Sequence, residues 1–277
     1  MGRISALTEL TELASNDYLL VLDSSASIAK KISVANAFGI PDFGWVVTGE
    51  SWTFASWSST TKIGTITVPT DATVKYYPGM RIRISQSTGG VKYGIIVKVA
   101  ATLLTVFFGT DYTLNNEAIS SPVYSAEKTP VGFNASPNKW KLELNDTTSR
   151  SQGSPTNGTW YNMGSLSLTI PAGSWNVLFT GQYYFDFAGS GDRAAGITLS
   201  TSTSSETDKE FSTYYRVATL NSNIYNEGGW KRQKVLDLTS DTTYYPIMKS
   251  SGVSSATTLL FSNSVSPLRV TAISAYL

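Results

Sequence analysis

The strongest constraint on the fold is a row of apolar residues at every second position on both sides of Gly181. The row consists of Trp175, Val177, Phe179, Tyr183, Phe185 and Phe187. Because successive side chains of a strand point to opposite faces, this period of two predicts a long strand with one buried face. Gly181 interrupts the row and predicts a bulge or a bend.

Similar patterns recur between residues 138 and 277. The candidate strands are Leu166–Ile170, Trp175–Phe187, Ala194–Ser200, Thr213–Leu220, Lys234–Leu238, Thr243–Met248, Thr258–Ser262 and Leu268–Leu277. Short strands in this number predict a jelly-roll-like β-sandwich. Between residues 42 and 128, Arg81–Ile84 alternates in polarity, and Thr88-Gly89-Gly90 predicts a hairpin leading into Val91–Val99. This region predicts a small barrel or sandwich, so the fold class is all-β.

The first 40 residues have a different pattern. Ile4, Leu7, Leu10 and Leu13 recur every third residue and predict a short helix, whereas Tyr18–Leu22 favours a strand. A further helical turn is predicted within Ala29–Phe38, ended by Gly39 and Pro41. We therefore divide the chain into an anchoring segment (1–40), a β domain (41–128) and a sandwich domain (129–277). The polar stretch Asn145–Gly158 is interpreted as part of the connection.

The chain contains no histidine and no cysteine. Imidazole bases, Ser-His-Asp triads, thiolate nucleophiles and histidine- or cysteine-ligated metals are therefore excluded. The formal net charge is +1, and a near-neutral chain argues against a nucleic-acid groove. The most apolar stretch, Ile95–Phe108, is too short to span a bilayer. We expect a protein without enzymatic activity, cofactor or metal, and without nucleic-acid binding or membrane insertion.

Three groups of motifs carry a resemblance to known proteins. The first comprises Ile4-Ser5-Ala6-Leu7, Leu13, Asp17–Asp23 and Lys30–Ser33. It resembles the virion-attachment segment of tailed-bacteriophage fibre and appendage proteins. The second comprises Tyr93–Ile96, Leu104–Val106, Asp111–Leu114, Pro122–Ser125, Pro130–Phe133 and Asn138–Trp140. It resembles a phage structural module. The third comprises Ile170–Trp175, Gly181–Phe185 and Val270–Leu277, and is similar to trimeric jelly-roll heads of the complement-globular and tumour-necrosis type.

The resemblance implies a structural protein of the virion, on its tail or capsid surface, that forms a homotrimer and contacts other virion proteins. Its tip would adhere to a host cell-surface glycan. The alternatives are a head-fibre, decoration or tail-assembly protein with no receptor role, and a glycan depolymerase. The resemblance assigns no catalytic residues. The virion-anchoring residues would be Ile4, Leu7, Leu10, Leu13, Leu20 and Leu22.

Candidate glycan contacts are aromatic and basic residues near predicted turns. They are Trp230, Tyr225, Tyr214, Tyr215, Lys231 and Arg232. Trp230 ends a predicted exposed loop, Asn221–Gly229, and residues 201–212 form a second candidate loop. The alternative for the rings is burial in the core or a trimer interface. The alternative for the basic run Lys231–Lys234 is a solvated strand edge.

Carboxylates are the remaining candidates for acid–base chemistry. They are Asp186, Asp192, Glu206, Asp208 and Glu210. A glycosidase would need two of them on either side of a cleft. We favour the alternative, a turn aspartate beside Arg193 and a solvated acidic run. Gly189–Gly196 is interpreted as a hairpin rather than a phosphate loop, because it lacks the Lys-Ser/Thr ending.

Overall fold

The computed structural model describes residues 18–23, 28–33, 44–187, 191–220, 224–252, 256–261 and 266–277. The first two segments are strands β1 (Tyr18–Asp23) and β2 (Ile28–Ser33), which pair antiparallel. The strand predicted over Tyr18–Leu22 is therefore confirmed, with Leu20 and Leu22 in β1. The helical turn predicted from Ala29 is wrong for residues 29–33, because these residues complete the ladder with β1.

The predicted N-terminal helix lies outside the described residues. This applies to the anchoring candidates Ile4, Leu7, Leu10 and Leu13.

A seven-stranded antiparallel sheet occupies the next part of the chain. Its strands are β3 (Val46–Val47), β4 (Thr53–Ser58), β5 (Ile63–Thr67), β6 (Arg81–Gln86), β7 (Gly90–Ala100), β8 (Leu103–Phe107) and β9 (Ser120–Ser125). Their order is β3-β9-β6-β7-β8-β5-β4. Gln86 lies opposite Gly90, which confirms the predicted hairpin. No ladder among the described residues joins β3 to β4, so the sheet is open and the closed-barrel alternative is wrong.

Both faces of this sheet contribute buried side chains. On one face, Ile82, Ile96 and Val106 form a core that connecting segments complete with side chains such as Trp52 and Tyr76. On the other face, apolar side chains of β7 and β8 join a second core together with residues from the C-terminal half of the chain. The sheet is therefore covered on both faces, by its own connecting segments on one face and by the sandwich on the other.

Within the described ranges, the sandwich contains eleven strands. They are β10 (Lys141–Asp146), β11 (Arg150–Gly153), β12 (Trp160–Tyr161), β13 (Leu168–Ile170), β14 (Gly173–Phe187), β15 (Gly191–Ser200), β16 (Thr213–Leu220), β17 (Ile224–Leu238), β18 (Thr242–Gly252), β19 (Ala256–Phe261) and β20 (Leu268–Ser274). The first sheet has the order β10-β20-β14-β19-β11, with β17 on β14; the second has the order β12-β18-β15-β16, with β13 on β18. Short 3₁₀ turns cover Ala72–Val74, Met163–Ser165 and Lys209–Phe211.

The all-β fold class with a C-terminal sandwich is confirmed. Each of the eight predicted strands overlaps an observed one, β13 to β20, whereas β10, β11 and β12 were not predicted. The stretch interpreted as a polar connection, Asn145–Gly158, contains β11, which pairs with β19. Its polar sequence gives no alternation, and Arg150 of β11 is held instead by an ion pair with Asp146 at 3.0 Å. The proposed domain boundary near Lys128 stays a prediction.

The alternation along β14 has the predicted burial. From Gly173 to Phe187 every odd position is buried and every even position is half-buried. The expected bulge at Gly181 is wrong, because the ladder with β17 runs without a shift along this whole range. A Cβ atom on Gly181 would lie 2.5 Å from the ring of Trp230, its partner across the ladder. The glycine therefore makes room for an indole.

An aromatic junction joins the seven-stranded sheet to the sandwich. The Phe107 ring of β8 meets the Trp175 ring of β14 edge-on, with centroids 4.9 Å apart. Trp140 lies 6.0 Å from Phe107 and stacks on Phe133 at 4.9 Å. These rings are buried in one continuous core, so hydrophobic burial couples the two parts of the chain.

The buried guanidinium of Arg81 lies beside this junction. Its side chain is 0% exposed, and its three nitrogens donate to carbonyl oxygens of Gly79 (2.5 Å), Lys128 (3.0 Å) and Tyr276 (2.8 Å). It also stacks on Phe133, at 4.9 Å from the ring centroid. Burial lowers the pKa of Arg81 to about 10, so the group remains charged at neutral pH. One cation thus connects the seven-stranded sheet, the segment after β9 and the residues after β20.

We expect Arg81→Ala to lower the free energy of unfolding by about 3 kcal/mol, because it leaves three buried carbonyl groups without their charged donor. Urea unfolding followed by tryptophan fluorescence measures the loss. The control is Arg269→Ala, whose side chain is 45% exposed in its ion pair with Glu143; it should cost less than about 1 kcal/mol. Equal losses for the two variants would contradict the role given to Arg81.

Candidate functional site

The predicted exposed loop before Trp230 is largely strand. β17 begins at Ile224, and Trp230 is 6% exposed. Its ring lies 5.2 Å from that of Phe179 and 5.7 Å from that of Phe261. The prediction of Trp230 as an exposed glycan-stacking ring is wrong, because the missing side chain at Gly181 leaves space for the indole inside the sandwich.

The two adjacent tyrosines of β16 lie on opposite faces of the second sheet. Tyr215 faces the first sheet, with its ring centroid 4.0 Å from that of Tyr183 and its hydroxyl donating to the Gly229 carbonyl at 2.9 Å. Tyr214 faces outward and is 50% exposed. Of this pair, only Tyr214 offers a ring to a ligand. Tyr225 lies in β17 opposite Asp186, and its side chain lies outside the described part.

The basic run of β17 is mostly engaged within the protein. Arg232 Nε donates to the Ser212 carbonyl at 2.9 Å and to Thr213 Oγ1 at 2.8 Å. Lys234 pairs with Asp208 at 2.7 Å and with Glu210, and these hydrogen bonds raise the pKa of Lys234. Lys231 is exposed. Arg232 and Lys234 therefore connect β17 to β16 and to the 3₁₀ turn at Lys209–Phe211.

The acidic residues that follow β15 also make internal contacts. Asp208 accepts from the backbone N–H of Glu210 at 3.0 Å and so caps the 3₁₀ turn. Glu206 accepts from the Ser212 hydroxyl and from the Tyr214 hydroxyl, the latter at 2.8 Å. Asp186 is half-buried in β14, and the side chain of Asp192 lies outside the described part. Glu206, Asp208 and Glu210 thus each have partners within the protein.

The predicted hairpin at Gly189–Gly196 is wrong. β14 belongs to the first sheet, whereas β15 pairs with β16 and β18 in the second. β14 and β15 therefore belong to different sheets of the sandwich. The pairing of β15 places Gly196 in the middle of the second sheet, with a strand on each side.

A single cross-strand row on the outer face of the second sheet forms the best candidate site. Across the ladders, Tyr214 pairs with Gly196, Gly196 with Lys249, and Lys249 with Trp160. We call these four residues the aromatic row. It runs from β16 through β15 and β18 to β12, and only Tyr214 among its members was predicted from the sequence.

Gly196 leaves space above the sheet for the rings of Tyr214 and Trp160. A Cβ atom on this glycine would be 2.8 Å from Tyr214 Cε1 and 3.0 Å from Trp160 Cη2. The ammonium of Lys249 lies 4.5 Å from the centroid of Trp160 and 5.5 Å from that of Tyr214. Both distances are within the range of cation–π attraction. The row therefore combines the exposed ring of Tyr214 and the buried ring of Trp160 with a lysine ammonium close to both.

The hydroxyl of Tyr214 is fixed by its hydrogen bond to Glu206. Burial raises the pKa of Tyr214 to about 12, with further contributions from this hydrogen bond and from the Glu206 charge. The phenol is thus neutral and oriented at physiological pH. A half-exposed ring with an ammonium on one side and a carboxylate at its hydroxyl end offers an apolar stacking surface together with polar groups that can bind hydroxyls.

A separate cleft of about 390 Å³ lies on the seven-stranded sheet, between β3 and β9. It is lined by Val47, Thr48, Gly49, Glu50, Ser51, Arg83, Ser121, Pro122 and Val123. Its carboxylate, Glu50, accepts from Lys75 (2.7 Å), Tyr76 (2.9 Å) and Trp52 (3.1 Å). Although burial raises the pKa of Glu50, these hydrogen bonds outweigh it and lower the pKa. The Glu50 carboxylate therefore connects the segment after β3 to Lys75 and Tyr76, which precede β6.

The described residues contain no cluster of three or more acidic side chains placed to hold a metal ion. Within the same ranges, no helix has the length and apolar character needed to cross a membrane.

No protein-family model matches the chain, and no curated protein matches it. Among solved structures, infectious bursal disease virus of the Gx strain aligns at 9% identity over 92% of this chain and 67% of that chain, with a TM-score of 0.21. The VP2 subviral particle of infectious bursal disease virus aligns at 12% identity over 93% and 68%, with a TM-score of 0.20.

A third structure, dimeric latent PorU from Porphyromonas gingivalis, aligns at 9% identity over 84% of this chain and 24% of that chain, with a TM-score of 0.24. Likenesses this low do not define a shared fold.

The aromatic row predicts an effect for Gly196→Ala. The added methyl group would collide with both rings, and we expect a loss of about 1–3 kcal/mol in the free energy of unfolding. The matched control is Gly153→Ala in β11, where a Cβ atom meets nothing within 4 Å. Urea unfolding compares the two variants. If both behave like the parent protein, the rings do not occupy the space above Gly196.

Proposed function

We propose that this chain is a structural protein of a tailed-bacteriophage virion, an appendage whose C-terminal sandwich adheres to a glycan on the host surface. The aromatic row carries this proposal, because its half-exposed Tyr214 is held rigidly beside Lys249 on an outer sheet face. The resemblance of the first 40 residues to virion-attachment segments supports the particle assignment. Those residues would anchor the chain, and the sandwich would be the end directed away from the particle.

We further propose that the role is adhesion without catalysis. The chain has no histidine or cysteine, and Glu206, Asp208 and Glu210 are committed to contacts with Ser212, Tyr214 and Lys234. A glycosidase needs two carboxyl groups free to act on one bond. The partners of these carboxylates therefore favour the adhesin over the depolymerase.

One exposed ring gives a weak site, so adhesion by this surface requires several copies. In a homotrimer three aromatic rows would be linked, and a repeating surface glycan would engage them at high effective concentration. The trimeric state is part of the proposal. It is supported by the similarity of the C-terminal motifs to trimeric jelly-roll heads.

The competing function is a particle protein without a receptor, such as a head fibre or a decoration protein. The attachment-segment resemblance supports this function equally well. The two differ in one respect, because only the adhesin requires the aromatic row to bind carbohydrate.

We expect Tyr214→Ala to abolish binding of the full chain to its host-surface polysaccharide, since the substitution removes the stacking ring. The matched control is Tyr77→Ala, a tyrosine that is 52% exposed on the other part of the chain. Surface plasmon resonance on immobilised polysaccharides from candidate hosts compares both variants with the parent. Equal loss of binding in the two variants would contradict the assignment of the site to Tyr214. If none of the three proteins binds any polysaccharide, the particle protein without a receptor is favoured.

The trimer has its own test. Multi-angle light scattering of the purified chain should give about three times the 29.9 kDa of one copy. A mass equal to that of a single chain would contradict the proposed homotrimer and its three linked sites. A dimer would contradict the jelly-roll-head resemblance as well.

A further inference from the structure

We infer that the aromatic row selects acidic sugars, and that Lys249 binds their carboxylate or phosphate group. This inference rests on the proposed glycan-binding function and adds to it the chemical class of the ligand.

Lys249 differs from the lysines that form ion pairs. Lys75, Lys139, Lys141 and Lys234 each lie within 3.2 Å of a carboxylate oxygen. Within the described ranges, Lys249 forms no such pair, and its ammonium faces the rings of Trp160 and Tyr214 instead. The π-faces attract the cation without neutralising it, so an anion can still bind there.

The position of Lys249 is restricted. Its side chain is half-buried on β18, between Gly196 and the 8%-exposed Trp160. An ammonium group has three N–H donors, and contacts with ring faces do not use them as hydrogen bonds to oxygen. A carboxylate or phosphate oxygen would therefore meet an oriented, charged donor at the edge of the stacking surface.

The positive charge of Lys249 and the negative charge of Glu206 would orient a sugar bound to the row. Glu206 is the acidic group in contact with the row, and it already accepts hydrogen bonds from Ser212 and Tyr214. A sugar stacked on Tyr214 would thus place its acidic substituent toward Lys249 and its hydroxyls toward Glu206.

The experiment compares three monosaccharides with the full chain. Methyl glucoside is neutral, glucuronic acid carries a carboxylate, and glucose 6-phosphate carries a phosphate. Affinities are measured by ligand-observed NMR at low and high NaCl. We expect both acidic sugars to bind the parent protein roughly tenfold more tightly than the neutral one, as for one charge-assisted hydrogen bond. The preference should shrink at high salt.

Lys249→Gln should remove the preference for the acidic sugars over methyl glucoside, and Lys249→Arg should keep that preference. The matched control is Lys98→Gln, which removes an exposed lysine from β7 and should leave all three affinities as in the parent. Urea midpoints of the variants confirm that each is folded. If only one acidic sugar is preferred, the group bound is that carboxylate or that phosphate.

Several outcomes overturn the inference while leaving the proposed function standing. One is equal binding of neutral and acidic sugars by the parent, with Tyr214→Ala abolishing both. Another is a preference that survives in Lys249→Gln. Inorganic phosphate competing as well as glucose 6-phosphate would indicate an anion site without sugar recognition. By contrast, failure of all three sugars and of the host polysaccharide to bind would count against the proposed function itself.

Discussion

The sandwich depends on the buried row along β14. Every odd side chain from Trp175 to Phe187, with Gly181 as the gap, points into the core, and the strand also carries the ladders of β17, β19 and β20. A shift of one residue in any of these ladders would exchange buried and exposed faces. Hydrophobic burial of this row therefore sets the register of the first sheet, and the core that it forms determines where the second sheet packs.

The same burial extends into the N-terminal half through Phe107 and Trp175. Packing alone is tolerant of small displacements, whereas the guanidinium of Arg81 is directional: its hydrogen bonds reach Gly79, Lys128 and Tyr276. A charged group buried without a carboxylate partner needs all of its donors satisfied. The junction therefore combines a non-directional apolar contact with a directional polar one, which favours one arrangement of the two parts.

The aromatic row shows how a surface arises from this framework. Trp160 and Tyr214 are far apart in sequence and meet only because β15 and β18 lie between their strands. Gly196 provides the space, Lys249 lies above the rings, and Glu206 fixes the phenol from a neighbouring segment. No local pattern marks Trp160 or Lys249 as part of a site, because their spacing reflects ladder register rather than helix or strand period.

The sequence by itself determined the all-β class, the eight strands from β13 to β20 and the hairpin after Gln86, because alternation and turn residues are local signals. Polar β11 and the short β12 carry no such signal. Which aromatic residue is exposed was decided only by the tertiary structure. Trp230 is buried because Gly181 lies across the ladder from it, and Tyr214 is exposed while Tyr215 packs against the core because of their sheet faces. Both outcomes depend on partners from distant strands, which a single sequence does not pair.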